Sequence, residues 1–224
     1  MSHSIEAVLF DFGMVLSGPP SPAAWKRMQS VTGLDEAQLH AGYWEYRHAY
    51  DRGTHTGVEY WHLVAGFNGV VLTPAQLDEL IEADTDLWTE VNLPMVEWAQ
   101  ALQHAGIRTG ILSNIGDEME AGVVAKLKWL ERFDHRTWSH RLKLAKPELG
   151  IYRHAVAGLG VLPQSVLFID DKEENIAAAE MAGLQAILYK DHGKFEREMA
   201  ERGFGDLLRP SIQSNGQNLQ PHHP

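Results

Sequence analysis

The feature that most constrains this chain is an apolar run, Ala7-Val8-Leu9-Phe10, that empties into Asp11, with Gly13 two residues later and Met14-Val15-Leu16 following. Consecutive apolar, partly β-branched residues with no polar alternation read as a strand covered on both faces, the kind found in a parallel sheet between layers of helices. A carboxylate at the end of such a strand stands at the carboxyl edge, where open α/β sheets bind their ligands. Taken alone, Asp11 serves equally well to cap the next turn.

The same event recurs twice. Ile107 to Leu112 is strand-like and ends in Ser113-Asn114, and Ser165 to Ile169 is strand-like and ends in Asp170-Asp171. Between them lies Leu144-Ala145-Lys146-Pro147-Glu148, where the proline suits the first position of a helix and leaves Lys146 in the loop before it. Each block has an ordinary reading: Ser113-Asn114 as the N-cap of a helix starting near Asp117, Lys146 as a solvated lysine, Asp170-Asp171 as first-turn acids. Their order along one sheet rim favours a shared site.

Those groups make chemical sense around a phosphoryl group. A carboxylate that attacks phosphorus splits a hard hydrolysis into two displacements. An anion attacking an anion needs its charge offset, and magnesium takes one or two carboxylates, waters and the substrate phosphate, which matches Asp11 and Asp171 with a main-chain carbonyl nearby. Lys146 adds positive charge, while the Ser113 hydroxyl and adjacent main-chain N–H groups can hold phosphoryl oxygens.

In these four blocks the sequence resembles the haloacid dehalogenase superfamily, and within it the members with a helical cap inserted after the first motif. The motifs are Phe10 to Leu16, Ile111 to Asn114, Lys146-Pro147-Glu148 with Ile151-Tyr152, and Phe168 to Asp171 with Asn175. The resemblance implies a doubly wound, Rossmann-like parallel α/β sheet and an Asp11 nucleophile. It implies that Ser113 and Asn114 contact the transferred group and that Lys146 steadies both nucleophile and substrate. Magnesium would be held by Asp11, the Gly13 carbonyl and Asp171, with Asp170 beside them as a shared or supporting ligand and Asn175 behind.

One position departs from most phosphatases of that superfamily, which carry a second aspartate two residues after the nucleophile. Here it is Gly13. The missing group is the general acid and base, typically worth about 100-fold to 10,000-fold in rate. The pattern is similar to a subgroup that includes sugar-phosphate phosphatases and the phosphatase domain of soluble epoxide hydrolases. The expected function is thus a magnesium-dependent phosphomonoester hydrolase for a small phosphorylated metabolite, such as a sugar phosphate. Two alternatives are a metal-independent 2-haloacid dehalogenase, whose aspartate attacks carbon, and a non-catalytic binder of phosphorylated metabolites. Against the dehalogenase stands the Asp170-Asp171 pair, since adjacent carboxylates with no cation repel.

The remaining composition narrows partners. A formal charge of −11 over 224 residues argues against a nucleic-acid partner, and no run of apolar residues approaches the roughly 20 needed to cross a bilayer. With no cysteine there is no disulfide or thiolate chemistry. No signal-like segment precedes the first strand, so cytoplasmic residence is the default expectation.

The organisation reads as a core of residues 1–16 and 93–210, a helical cap of 17–92 and a disordered tail of 211–224. A breaker cluster, Ser17-Gly18-Pro19-Pro20-Ser21-Pro22, leaves the core, and no convincing strand follows until about Val91. Instead Tyr43, Tyr46, Arg47 and Tyr50 recur at helical spacing, as do Val58, Trp61 and Ala65, and Pro74 to Trp88 reads as another helix. The many cap aromatics are expected to pack these helices together, with Arg47 or His48 as candidates to reach the phosphate or supply a proton.

Overall fold

The computed structural model describes residues 4–210. The expected disordered tail therefore lies outside the described residues. Five parallel strands form one sheet in the order β3-β2-β1-β4-β5, where β1 is Ala7–Phe10, β2 Arg108–Ser113, β3 His135–Trp138, β4 Val166–Asp170 and β5 Gln185–Leu188. All four residues of β1 are buried, as its unbroken apolar run requires of a central strand.

Strand alternation divides those residues between two cores. Val8 and Phe10 face a layer made by α5 (Leu93–His104), α6 (Asp117–Lys126) and α10 (His192–Glu201), where Phe10 meets Trp98 edge-on at 5.3 Å and Trp98 meets Phe195 at 5.0 Å. Ala7 and Leu9 face α8 (Leu149–Leu159) and α9 (Glu173–Met181), where Tyr152 packs edge-on against Phe168. Burial of each large apolar side chain contributes roughly 1.5–3 kcal/mol, so both faces hold the central strand in register.

Register is what assembles the site. Phe10 stands opposite Ile111 on one side and Ile169 on the other. One residue further, Asp11 leaves the sheet level with Asp170, and its N–H donates to the Ile169 carbonyl at 2.9 Å. Ser113 ends β2 at the same rim.

Between β1 and α5 the chain is helical: α1 (Pro22–Thr32), α2 (Glu36–Asp51), α3 (Gly57–Gly66) and α4 (Pro74–Leu87). Reciprocal capping boxes start three of them, Asp35 with Gln38, Thr56 with Glu59 and Thr73 with Gln76. Tyr43, Tyr50, Tyr60 and Trp61 are buried among these helices, which is the packing role expected of them. The two connections to the core run side by side: Ser17 pairs with Val91, Gly18 N–H donates to the Glu90 carbonyl, and Asn92 N–H donates to the Leu16 carbonyl.

The helical unit is seated on the carboxyl rim. Met119 N–H donates to Tyr50 Oη at 3.1 Å, Gly57 N–H to Asp117 Oδ1 at 2.8 Å, and the Tyr50 ring lies so close over Gly116 that a Cβ there would be 2.0 Å from it. Two local expectations are corrected. Gly116, not Ser113 or Asn114, is the N-cap of α6, because β2 carries Ser113 into the sheet rim before the chain turns. Pro147 is not in the first turn of α8; it precedes the N-cap Glu148, whose carboxylate folds back to accept from Ala145 N–H.

Candidate active site

At the rim, a cavity of about 570 Å³ opens between core and helical cap. Its core wall contains Asp11, Gly13, Ser113, Asn114, Lys146, Asp171 and Asn175. The sequence-derived candidates therefore converge, with Asp170 directly beneath them.

Lys146 is the electrostatic centre. Only 4% exposed, its ammonium lies 2.8 Å from Asp11 Oδ1 and 2.7 Å from Asp170 Oδ2. Burial alone would lower its pKa, but the two carboxylates outweigh that and raise it. Asp11 reports the complementary imbalance. Its pKa is pushed up to about 7, first by burial and further by Asp170 and Asp171, against the opposing pull of Lys146. Asp171 is raised as well, by burial and by Asp170. One buried ammonium pairs with two of the acids while the third stands beside them, so the cluster is short of positive charge.

The acids have distinct surroundings. Asp170 is fully buried and saturated: Oδ2 accepts from Lys146, while Oδ1 accepts from Lys172 N–H and Asn175 Nδ2, each at 2.9 Å. Asp171 is held through its main chain, its carbonyl accepting from Lys190 Nζ, and its carboxylate has no side-chain partner among the described residues. Oxygens of Asp11, Asp170 and Asp171 lie within 4.8 Å of one another, which is compatible with a shared cation. Asn175 Oδ1 is buried without a hydrogen-bond partner among the described residues, a spare acceptor that a water of a hydrated divalent ion would satisfy. Hard oxygen donors, excess negative charge and that acceptor fit a divalent ion.

Ser113 is buried, and its hydroxyl makes no hydrogen bond among the described residues, leaving it available to a ligand. Asn114 is committed elsewhere. Its Nδ2 donates to the Lys146 carbonyl at 3.0 Å and its Oδ1 accepts from Lys146 N–H at 2.8 Å, so it pins the lysine loop to the end of β2. Gly13 has φ −64° and ψ 133°, ordinary for any L-residue, and a Cβ there would meet only the Trp88 ring, at 3.8 Å. No backbone requirement explains the glycine; its place is simply without an acid.

From the cap come Trp44, Arg47, His48, Asp51 and Trp88. Arg47 is less free than its position suggested, since Nε donates to Asp51 at 2.8 Å and Nη1 reaches both Tyr43 Oη and Asp84. The sequence motifs do not single out Asp51. The signal was present in its i, i+4 spacing from Arg47 at the end of an amphipathic helix.

The geometry can now be set beside known proteins. A family model described as a haloacid dehalogenase-like hydrolase matches residues 6–183. Rat (Rattus norvegicus) bifunctional epoxide hydrolase 2 is 30% identical over 113 residues, covering 49% of this chain and 20% of that protein. The drimenol cyclase of Aspergillus calidoustus is 23% identical over 228 residues, covering 96% of this chain and 40% of the cyclase. This chain thus spans a minor part of the curated relatives it matches. Among solved structures, a HAD family enzyme from Bacteroides thetaiotaomicron superposes with TM-score 0.73 at 18% identity, over 88% of this chain and 99% of that one. An L-2-haloacid dehalogenase from Xanthobacter autotrophicus, with chloropropionic acid covalently bound, superposes with TM-score 0.59 at 20% identity, over 94% and 90%. On the strength of the family match across most of its length, this chain belongs to the haloacid dehalogenase-like hydrolases.

Proposed function

We propose that the chain is a magnesium-dependent phosphomonoester hydrolase acting through an aspartyl-phosphate on Asp11. The observation that carries this reading is the charge of the cluster: three carboxylates gathered at one point, only two of them paired to the single buried ammonium, with Asp11 and Asp171 held above their usual pKa. A site that attacks a neutral carbon gains nothing from that excess, whereas one that binds a divalent ion and a phosphoryl dianion uses it. The Bacteroides thetaiotaomicron enzyme has a structure in complex with magnesium and inorganic phosphate, at TM-score 0.65 and 19% identity, which supports the same reading.

Asp11, Asp171 and the Gly13 carbonyl would hold the ion. Bound there, magnesium offsets the repulsion between nucleophile and phosphoryl group and polarises a phosphoryl oxygen. The chain's own residues do the rest. Lys146 fixes the attacking carboxylate at 2.8 Å and opposes its protonation beside an incoming anion. Ser113 Oγ, free of other bonds among the described residues, donates to a phosphoryl oxygen. Asp170 aims Lys146, and Asn175 aims Asp170, so the cluster is set before substrate arrives. Trp44 and Trp88 line the cap side of the cavity, opposite the acids. A small phosphorylated metabolite such as a sugar phosphate suits the cavity.

The test is phosphate release from a panel of sugar and aryl phosphates, with magnesium and with chelator, alongside halide release from a 2-haloacid. Magnesium-dependent phosphate release supports the proposal. Metal-independent halide release without phosphate release would replace it with the dehalogenase reading that the Xanthobacter autotrophicus likeness keeps in view.

A further inference from the structure

Gly13 leaves a chemical gap. Cleaving an alkyl phosphate puts negative charge on a leaving oxygen that needs a proton, and hydrolysing the acyl phosphate needs a water from which a proton is taken. Asp11 is the nucleophile in the proposal above, and Lys146 and Asp171 have their own tasks. The other titratable side chains in the cavity wall, apart from the committed Arg47, are His48, Asp51, Glu174 and the exposed Lys172. His48 and Glu174 are exposed, but the Asp51 side chain is only 15% exposed.

Asp51 is also the one tied to the core. It ends α2, and its carbonyl accepts from Ser139 Oγ; that buried hydroxyl in turn accepts from Ile115 N–H at 2.8 Å. Ile115 lies two residues beyond Ser113, so the segment that presents the Ser113 hydroxyl also anchors Asp51 above it. Within the cap, Arg47 Nε donates to Asp51 Oδ1 at 2.8 Å, and Arg47 is itself braced by Asp84 and Tyr43. Asp51 Oδ2 has no partner among the described residues. One oxygen is fixed and the other is free, which is the arrangement a proton-transfer group requires.

We infer that Asp51, reaching in from the cap, is the general acid and base of this site, taking the place left by Gly13. The inference rests on the phosphatase reading. In the first step Asp11 forms a bond to phosphorus, the bond from phosphorus to the leaving oxygen breaks, and the Asp51 carboxylic acid gives that oxygen its proton. In the second, water attacks the aspartyl-phosphate, its proton passes to the Asp51 carboxylate, and the bond between phosphorus and Asp11 breaks to release hydrogen phosphate. Asp51 ends protonated, ready for the next ester. The electrostatics agree: burial raises its pKa to about 6, with Asp84 of α4 adding to the rise and Arg47 of α2 and Lys172 ahead of α9 opposing it.

The experiment compares Asp51→Asn with wild type in magnesium on two esters. With 4-nitrophenyl phosphate, whose leaving group needs no proton, the variant should release a burst of one equivalent of nitrophenolate and then turn over at least about 100-fold slower than wild type. With an alkyl phosphate its first turnover should itself fall by at least about 100-fold. Asp51→Glu, which keeps a proton to give, should recover alkyl cleavage to within about tenfold of wild type, and His48→Gln should not separate the two esters in this way. The inference is overturned if Asp51→Asn cleaves alkyl phosphates near the wild-type rate. It is equally overturned if burst and alkyl cleavage are lost together while the variant stays folded, or if His48→Gln gives the split pattern instead. A wild-type enzyme that cleaves neither ester removes the phosphatase reading itself, before any variant is made.

Discussion

Replacing Lys146 with methionine isolates the electrostatics of the site, because methionine keeps an apolar stem of similar length and removes the charged head, which also lies 5.7 Å from the centre of the Phe168 ring. The ammonium is buried and pairs with Asp11 at 2.8 Å and Asp170 at 2.7 Å. Taking one partner out of a buried ion pair typically costs about 3–5 kcal/mol, since the remaining charge is left uncompensated. For a chain of this size, each kcal/mol moves the melting temperature by about 2–4 °C, so the variant should melt about 6–20 °C below wild type in chelator near neutral pH. Partial relief comes from protonation. Asp11 already has its pKa near 7, and without Lys146 it rises further, so the deficit should shrink towards about pH 5. Thermal unfolding followed by circular dichroism at both pH values reads this directly. A variant within about 2 °C of wild type at neutral pH would refute the view that Lys146 holds an overcrowded acid cluster together.

Other expectations follow from the same geometry. Asp11 is an acid whose folded pKa lies above its ordinary 3.8, so the folded state binds the extra proton; its contribution to stability is full below about pH 4 and is lost as pH rises through about 7. Magnesium should offset that loss, making the melting-temperature gain from magnesium over chelator larger near pH 7.5 than near pH 5; a gain independent of pH would contradict the assignment of these acids to the ion. Gly13→Ala should be neutral or stabilising by up to about 1 kcal/mol, because its φ suits alanine and the new methyl meets Trp88 at ordinary distance. Gly116→Ala should instead cost about 1–3 kcal/mol, because its methyl would strike the Tyr50 ring and lift the cap from the rim. Urea unfolding of the two variants side by side checks both.

Much of the site was legible because its residues stand where buried strands stop. Apolar runs that end in Asp11, Ser113 and Asp170 announce both the sheet and its carboxyl rim, and the sheet's register then brings them together without further information. What was hidden depends on tertiary contacts. The edge strand β3 reads His-Arg-Thr-Trp, because an edge strand pairs on one side only and carries no unbroken apolar run. Asn114 looks like a ligand contact at a strand end, but whether its amide faces the cavity or the Lys146 main chain is decided by where the lysine loop passes. Asp51 is screened in the sequence by its neighbours Arg47 and His48, the more conspicuous candidates of that stretch, while the anchor that matters, Ser139, lies far along the chain and shows itself only when the cap sits on the core.

The central claim is a covalent phosphoryl group on Asp11. The direct measurement is mass spectrometry of enzyme acid-quenched during turnover of an aryl phosphate in magnesium, with Asp11→Asn treated in parallel. The account predicts a mass gain of one phosphoryl group confined to the peptide that contains Asp11, absent from the variant and from enzyme in chelator. Phosphate release at full rate by Asp11→Asn, or an ester adduct on Asp11 formed only from a 2-haloacid and without metal, would contradict it.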